Sequence, residues 1–553
     1  MNRKLVEKAR ALLSKERGTV FKDPGGRINV CLVYPNTYHV GMSNLGFQGV
    51  YGLLNRRDDV VCERAFLPDE GDIGIHRRTG APVFSLESGR PLERFDIVAF
   101  SVSFENDYPN VLRILDLSKI PFLPGERNAY HPLLIAGGVC PSFNPEPLAP
   151  VFDAIFIGEA EESLREFLDV YRKVMGQGAE KDFRGALMEN AAAVEGVYVP
   201  GFYSLAYEAD GRIAGRTASG GAPASIKRRC VRDLSLSGVT TAIVTSESEF
   251  SGMFLVEAMR GCPWGCRFCL VGHLYSPPRK KDKESIMEEI RTARGMTSKI
   301  GLVGPSLTDY PHIREVLCVE GVDFSITSLR ASGKSAGLVE LLKGHRSVSI
   351  APEAGTERMR RVIRKRVTEE DILGASKLIF DAGIESLRLY FMIGLPTETM
   401  EDVSGIVELV KKIRDTSGRG TITLSVSTFV PKPFTPFQWH PMEPLGSVKE
   451  KLHFIKKSLR GMRSVRVLHD VPKYAHMQGL FSMGDRRVFP VLKAMAAAEG
   501  ASDDWMKACA DTGVDRDFYI SRKKEFGETL PWDFIDAGIS KEKLWAEYIL
   551  ALS

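Results

Sequence analysis

No stretch of this chain approaches the roughly 18 continuous apolar residues that a membrane-spanning helix requires; the nearest candidates, such as Ile422 to Val430, are of strand length. The opening MNRKLVEKARALLSKERG is charged and amphipathic, with Glu7 and Glu16 among its basic residues, and it lacks the apolar centre of a secretory signal. Both absences point to a cytoplasmic protein. A dominant charge sign is missing too. The 74 Lys plus Arg against 70 Asp plus Glu leave a formal +4, too little over 553 residues to argue for nucleic acid or a membrane surface. The nine cysteines form an odd set with six isolated members, which excludes a secreted disulfide framework. Internal repeats and long low-complexity tracts are also absent.

What the chain does have is 44% hydrophobic residues, enough to bury several cores, and a length that at roughly 100–200 residues per domain suggests three or four structural units. Its densest chemical feature is Gly261-Cys262-Pro263-Trp264-Gly265-Cys266-Arg267-Phe268-Cys269, three cysteines on one Gly- and Pro-containing loop. Thiolates are the preferred ligands of iron–sulfur clusters, and a cubane is usually closed by four of them. A structural zinc site also takes four protein ligands, and none of the ten histidines stands at zinc-finger spacing to supply the fourth. Three ligands leave one iron open to a small molecule. The bland alternative is three structural thiols brought together by chance.

Downstream, β-type runs alternate with helical patterns, as repeated βα units with a parallel sheet require. Six strands are expected near 253–261, 299–304, 324–330, 347–351, 386–394 and 422–430, with helices at 282–296, 334–343, 368–381 and 399–415. Ligands of such sheets bind at the carboxyl ends of the strands, where Gly304, Pro305, Ser328, Arg330, Glu353 and Ile393 fall. Near-continuous apolar runs at 28–35, 96–104, 133–138 and 154–159 predict a second, Rossmann-like parallel sheet, without the GxGxxG of a dinucleotide site. An Asp210-Gly211 turn predicts a hairpin, and the small-residue run 218–225 a linker. The pattern after residue 440 is helical, with Trp505, Trp532 and Trp545 read as helix faces that cap the barrel.

The CxxxCxxC loop, with an aromatic before its last cysteine, resembles the signature of the radical S-adenosylmethionine (SAM) superfamily. Ala136 to Pro147, Gly158 to Glu162, Pro35 to Gly46 and Leu530 to Asp533 resemble the subfamily in which a cobalamin (B12)-binding-type domain precedes the radical core. The resemblance implies an α/β fold with a Rossmann-like B12-type domain at 1–195, a hairpin and linker at 196–248, a partial (β/α)6 TIM-like barrel at 249–480 and a helical region at 481–553. It implies a [4Fe-4S] cluster on Cys262, Cys266 and Cys269, which cleaves SAM reductively to a 5′-deoxyadenosyl radical. Gly304, Pro305, Ser328, Arg330, Glu353 and Ile393 would contact SAM, and Arg279 or Lys281 would compensate its carboxylate. Ser101, Ser103, Gly137, Gly138, Gly158 and Glu159 would contact cobalamin, the small glycines admitting a bulky corrin.

The family's DxHxxG is broken here, since Thr37 and Met42 replace its Asp and Gly around His39, which favours loop packing for that histidine. The expected activity is methylation or rearrangement of an unidentified substrate, with electrons from a donor such as flavodoxin or ferredoxin. One alternative is a methylthiotransferase for tRNA or protein, with Cys31, Cys62 and Cys140 holding a second cluster; another is a non-catalytic corrinoid or SAM sensor. A second cationic run, Arg358 to Arg366, would suit a phosphate-bearing substrate, although no stacking aromatics interleave with it.

Overall fold

The computed structural model describes residues 2–177, 182–326, 329–331, 336–339, 346–498 and 504–553. The apolar runs of the amino-terminal part form β1 Ile28–Tyr34, β2 Val60–Phe66, β3 Ile97–Ser101, β4 Leu133–Gly137, β5 Ala154–Phe156 and β6 Val197–Tyr198. They make one sheet in the order β2-β1-β3-β4-β5-β6, parallel except for the antiparallel β6. In such a doubly wound order the ligand crevice opens where the order reverses, beyond the carboxyl ends of β1 and β3.

Successive residues of each strand enter different cores, because side chains alternate across a sheet. Val30, Leu32 and Tyr34 join the core built with helices Leu45–Asn55, Ala160–Gly176 and Phe183–Ala191. Cys31, Val33, Val98 and Phe100 join the opposite core with helix Tyr108–Leu117. That second core continues into the carboxyl-terminal region, taking in Trp505, Trp532 and Tyr548. Tyr108 stacks on Phe481 with ring centroids 5.8 Å apart, and the Asn144 amide donates to the carbonyls of Ser482 and Gly484 at 3.0 and 2.8 Å. The late helices therefore cover the amino-terminal sheet as well as the unit they were expected to cap.

β2 carries charge in its middle and was not among the expected strands. Arg64 is fully buried between Glu16 and Glu87, each at 2.7 Å, and Glu63 accepts from the hydroxyls of Ser85 and Ser88, each at 2.5 Å. A strand can hold such residues only when every charge has a partner.

The second α/β unit has parallel strands β7 Phe254–Glu257, β8 Lys299–Val303 and β9 Asp323–Ser325 in one sheet. A second parallel sheet holds β10 Ser347–Glu353, β11 Ser386–Ile393, β12 Thr421–Thr428 and β13 Val465–His469. The Leu329 amide donates to the Ser349 carbonyl at 2.9 Å and so links the segment after β9 to β10. Leu387, Leu389, Phe391, Ile422, Leu424 and Val426 pack against helices Glu369–Asp381, Met400–Ser417 and Leu445–Ser458. A strand stands at each of the six expected places, the third only over Asp323–Ser325 because 327 and 328 of its expected range lie outside the described residues, and β13 is a further strand. The hairpin forms from Tyr203–Tyr207 and Ile213–Ala218 around the Asp-Gly turn.

One buried carboxylate locks three regions. Glu146 accepts from the Tyr198 hydroxyl at 2.7 Å, from Arg216 of the hairpin at 3.0 Å and from Arg486 of the carboxyl-terminal region at 2.9 Å. Burial opposes its charge, but the two guanidiniums hold its carboxyl below the usual range. Glu146→Ala leaves both arginines uncompensated and should cost about 3–5 kcal/mol, read as a large fall in the thermal unfolding midpoint. An unchanged midpoint would mean that the three regions are joined by apolar packing alone.

Candidate active site

Immediately after β7, Met259–Arg260 pairs antiparallel with Arg279–Lys280, so residues 261–278 form a loop closed at its base. Gly261 opens it with φ +78°, where a Cβ would lie 2.2 Å from the Tyr275 carbonyl oxygen; no other residue fits. Arg267 pins the centre. Its amide donates to Ile363 O at 3.0 Å, and its guanidinium reaches Val362 O at 2.8 Å and Glu547 at 3.0 Å. The His273 Nε2 lies 3.1 Å from the Cys266 carbonyl oxygen.

All three loop cysteines are free thiols, Cys266 buried and Cys262 and Cys269 half-buried. Burial pushes the Cys266 thiol up to about 11 against the opposing pull of Lys365, and it also raises Cys269 against the backbone N–H groups of Gly272 and Val271. The three sulfurs feel one another's charge. Among the described residues, no three His, Cys, Asp or Glu side chains converge as the ligands of a single metal ion do. Three thiols on one loop match a [4Fe-4S] cluster with one iron left open, and fall one short of the four protein ligands that close a structural zinc site.

The strand ends surround this loop. Trp264 donates its indole N–H to Asp309 at 2.8 Å, and the Arg330 guanidinium lies 3.4 Å from the centre of its ring. Glu353 ends β10 with φ +67°, a strained position for a residue with a side chain, and it accepts from Lys365 at 3.1 Å. Both Arg330 and Glu353 lie within electrostatic reach of the cysteines. Gly304 stands at the end of β8 against Met259, Pro305 beside it is exposed, and Ser328 falls outside the described residues.

Three expectations need correction. Ile393 is buried in the core on the helix side of its sheet, so strand alternation turns Met392, which the motif reading passed over, to the open side. Arg279 makes a bidentate pair with Glu159 at 2.8 and 2.7 Å, and the fully buried Lys281 pairs with Glu289 at 2.6 Å. Neither cation is free for a ligand carboxylate.

A cavity of about 400 Å³ lies over the carboxyl ends of β3, β4 and β5, between helices Leu45–Asn55 and Ala160–Gly176. Ser101, Ser103, Gly137, Gly138, Gly158 and Glu159 all line it, and its mouth reaches Arg260, Tyr275 and Val303 of the second unit. Two of the glycines serve the protein's own backbone: a Cβ on Gly138 would lie 2.4 Å from Val102 O, and one on Gly158 would lie 2.2 Å from Arg229 O. Gly137 alone of the three leaves open space, its nearest contact being 3.7 Å away. Glu159 is gripped by Arg279, by Arg260 at 2.9 Å and by the Val231 amide at 2.8 Å. His39 lines a different cavity and faces the Glu247 carbonyl at 3.1 Å and Glu249 at 3.2 Å, as loop packing requires.

At the reversal of strand order the sequence reading missed Asn36, Asn44 and Asp107. Asn44 caps helix Leu45–Asn55 and donates to Ser103 at 3.2 Å, while Asn36 donates to Asp107 at 2.8 Å. Their only signal was the polar residues that follow β1 and β3. Burial raises the Asp107 carboxyl to about 7 despite its amide donors. Because the folded carboxyl holds its proton longer than the unfolded one, this group lowers stability as pH rises from the ordinary carboxylate range to about 7. Asp107→Asn should remove that loss, so unfolding midpoints of the two proteins should agree near pH 4 and diverge in favour of the variant by pH 7. Parallel pH curves would show that Asp107 ionises freely.

A doubly wound sheet beside a parallel α/β unit, whose first strand opens into a three-thiol loop, defines an enzyme built around an iron–sulfur cluster. The profile of the family described as Radical SAM superfamily matches residues 256–410, and that described as Radical SAM proteins, N-terminal, matches residues 46–200. An uncharacterized protein of Methanocaldococcus jannaschii is 31% identical over 467 residues, covering 83% of this chain and 89% of its own. The chain belongs to the radical SAM superfamily, and its cofactors are accordingly a [4Fe-4S] cluster and S-adenosylmethionine.

A tRNA-2-methylthio-N(6)-dimethylallyladenosine synthase of Acetivibrio thermocellus is 24% identical over 29% of this chain and 37% of its own. Among solved structures, the cobalamin-dependent SAM radical enzyme OxsB with aqua-cobalamin and SAM bound aligns over 95% of this chain and 80% of its own, with 14% identity and a TM-score of 0.47. No helix among the described residues is long and apolar enough to cross a membrane.

Cys31 and Cys62 enter opposite cores of the amino-terminal sheet, so they and Cys140 cannot share a second cluster. Anaerobic reconstitution should therefore load about four irons per chain. Changing Cys262, Cys266 and Cys269 together to Ala should abolish loading, whereas Cys62→Ala should leave it intact. About eight irons per chain would restore the two-cluster reading.

Proposed function

We propose that the protein is a radical SAM enzyme that uses cobalamin to methylate or rearrange an unactivated centre of its substrate. Cys262, Cys266 and Cys269 would hold a [4Fe-4S] cluster, which would supply the electron for reductive cleavage of SAM, and cobalamin, when bound, would supply a methyl carrier. The observation that carries this reading is the continuity of the two sites. Arg260 at the base of the cysteine loop and Tyr275 within it also line the cavity, so a ligand held there lies beside the loop.

At about 400 Å³, with mainly apolar walls formed by Leu32, Ala99, Ile135 and Phe156, the cavity suits the nucleotide tail of a corrinoid, and the macrocycle would lie at its mouth. Ser101, Ser103 and Asn44 offer hydrogen bonds there. In the second unit, Arg330 would bind a carboxylate, Glu353 ribose hydroxyls and Met392 an adenine face, and Gly304 and Pro305 would offer backbone to the SAM amino group. A small acidic electron carrier such as a flavodoxin or ferredoxin would serve as reductant.

The test is retention of hydroxocobalamin by the reconstituted protein after desalting, read from its visible spectrum. Near-stoichiometric retention is expected, and Gly137→Leu, which fills the cavity without a backbone clash, should abolish it while leaving iron content unchanged. Failure of the parent protein to retain corrinoid with its cluster intact would remove cobalamin from the mechanism. Formation of 5′-deoxyadenosine without S-adenosylhomocysteine would separate rearrangement from methylation.

A further inference from the structure

Most of the cationic run Arg358 to Arg366, which the sequence offers as a phosphate site, is paired with the protein's own groups. Arg358 pairs with Asp402, Arg361 with Glu357 at 3.7 Å, Arg364 with Glu547 at 3.0 Å and Lys365 with Glu353 at 3.1 Å, while buried Arg360 donates to Ala354 O at 3.0 Å. A different run is free. Between residues 452 and 469 there is no acidic residue, while Lys456, Lys457, Arg460, Arg463 and Arg466 contribute five positive charges, more than the +4 of the whole chain. All five are exposed. Within the described residues, Lys457, Arg460, Arg463 and Arg466 have no side-chain hydrogen bond or ion pair, and Lys456 has only a 3.4 Å approach to His469.

This strip leads onto the sheet. Arg388, Thr423 and Arg466 are in register across β11, β12 and β13, on the face away from the helices, and Arg388 is exposed and unpaired as well. Two strand spacings put the arginines about 10 Å apart. One layer higher on the same face, Tyr390 and Leu468 flank Ser425 and are 37% and 51% exposed. A third layer, Met392 and Ser427, leads toward Glu353 beside the cysteines.

We propose that this face is the binding surface for a single-stranded RNA segment, whose phosphates lie on Arg463, Arg466 and Arg388 and one of whose bases stacks on Tyr390. A small anion would be satisfied by two of these cations and would leave the outer ones without a role. A repeating polyanion with flat apolar bases accounts for both the length of the strip and the exposed ring on it. The strip lies at the amino-terminal end of the strands, so an extended RNA reaches Glu353 only by following the face past Tyr390 and Met392, which a compact acidic electron carrier held on the strip does not do. The inference relies on the radical-enzyme reading only in making this ligand the substrate; binding is tested without turnover.

The reconstituted full-length protein would be titrated into a fluorescein-labelled RNA of about 12 nucleotides across about 50–200 mM salt, with fluorescence anisotropy as readout. Affinity should fall with salt at a logarithmic slope of about −0.7 per phosphate contacted. The double variant Arg463→Glu, Arg466→Glu should bind about tenfold or more weakly, with a slope shallower by about 1.4. Tyr390→Ala should weaken binding at unchanged slope, and Arg361→Glu in the internal run should change neither quantity. Iron content and circular dichroism on the same samples report folding. Equal affinity of the double variant and the parent would overturn the proposal. Displacement of RNA by polyglutamate at matched charge would do so too, and would assign the face to an acidic protein.

Discussion

The relation between the two halves of this enzyme hangs on one carboxylate. Glu159 begins at the end of a strand of the amino-terminal sheet, lines its cavity, and is held on the other side by Arg260 and Arg279, the residues that open and close the cysteine loop. Burial works against its charge, and the two guanidiniums with the Val231 amide more than offset that cost, keeping the carboxyl ionised. Arg260 is saturated in turn by Glu257 at 2.7 Å and Glu161 at 2.9 Å. A buried network of this kind adds little net stability when compared with an apolar core, but its partners are geometrically exacting. It sets where the loop stands relative to the cavity, which is the distance that any chemistry between the two sites depends on.

The same economy of partners governs the rest of the site. The orientation of Trp264 depends on Asp309 and Arg330, and the unusual backbone of Glu353 is stabilised by Lys365. Charges that look available in the sequence are mostly spoken for, and the exposed strip before β13 stands out because it is not. Electrostatic function in this chain is therefore written in what lacks a partner more than in where cations are dense.

Much of this was legible beforehand, and the rest was hidden for identifiable reasons. The cysteine triplet, the six strands of the radical core and the hairpin turn announce themselves through spacing, periodicity and turn chemistry, which are local. β2 was missed because Glu63 and Arg64 break its apolar pattern, and their burial is permitted only by Glu16, Glu87, Ser85 and Ser88 from elsewhere in the chain. β13 was missed because its exposed face is cationic. Arg279 and Lys281 read as free because a sequence does not display Glu159 or Glu289 beside them. The assignment of Ile393 failed by one residue, which on a strand is a change of face. Gly138 and Gly158 invited a ligand explanation, yet both are required where another stretch of backbone passes.

The core shared by the first and last parts of the chain has a consequence for how the protein is made. One face of the amino-terminal sheet is completed by residues such as Trp505, Trp532 and Tyr548, which leave the ribosome several hundred residues after Cys31 and Phe100. Until then that face is covered only in part, by helix Tyr108–Leu117 and the segment around Phe143 and Phe152, and the layer stays unfinished through most of synthesis. This core is thus completed late, and the interval before its completion is the period in which a nascent chain most needs a chaperone's shelter.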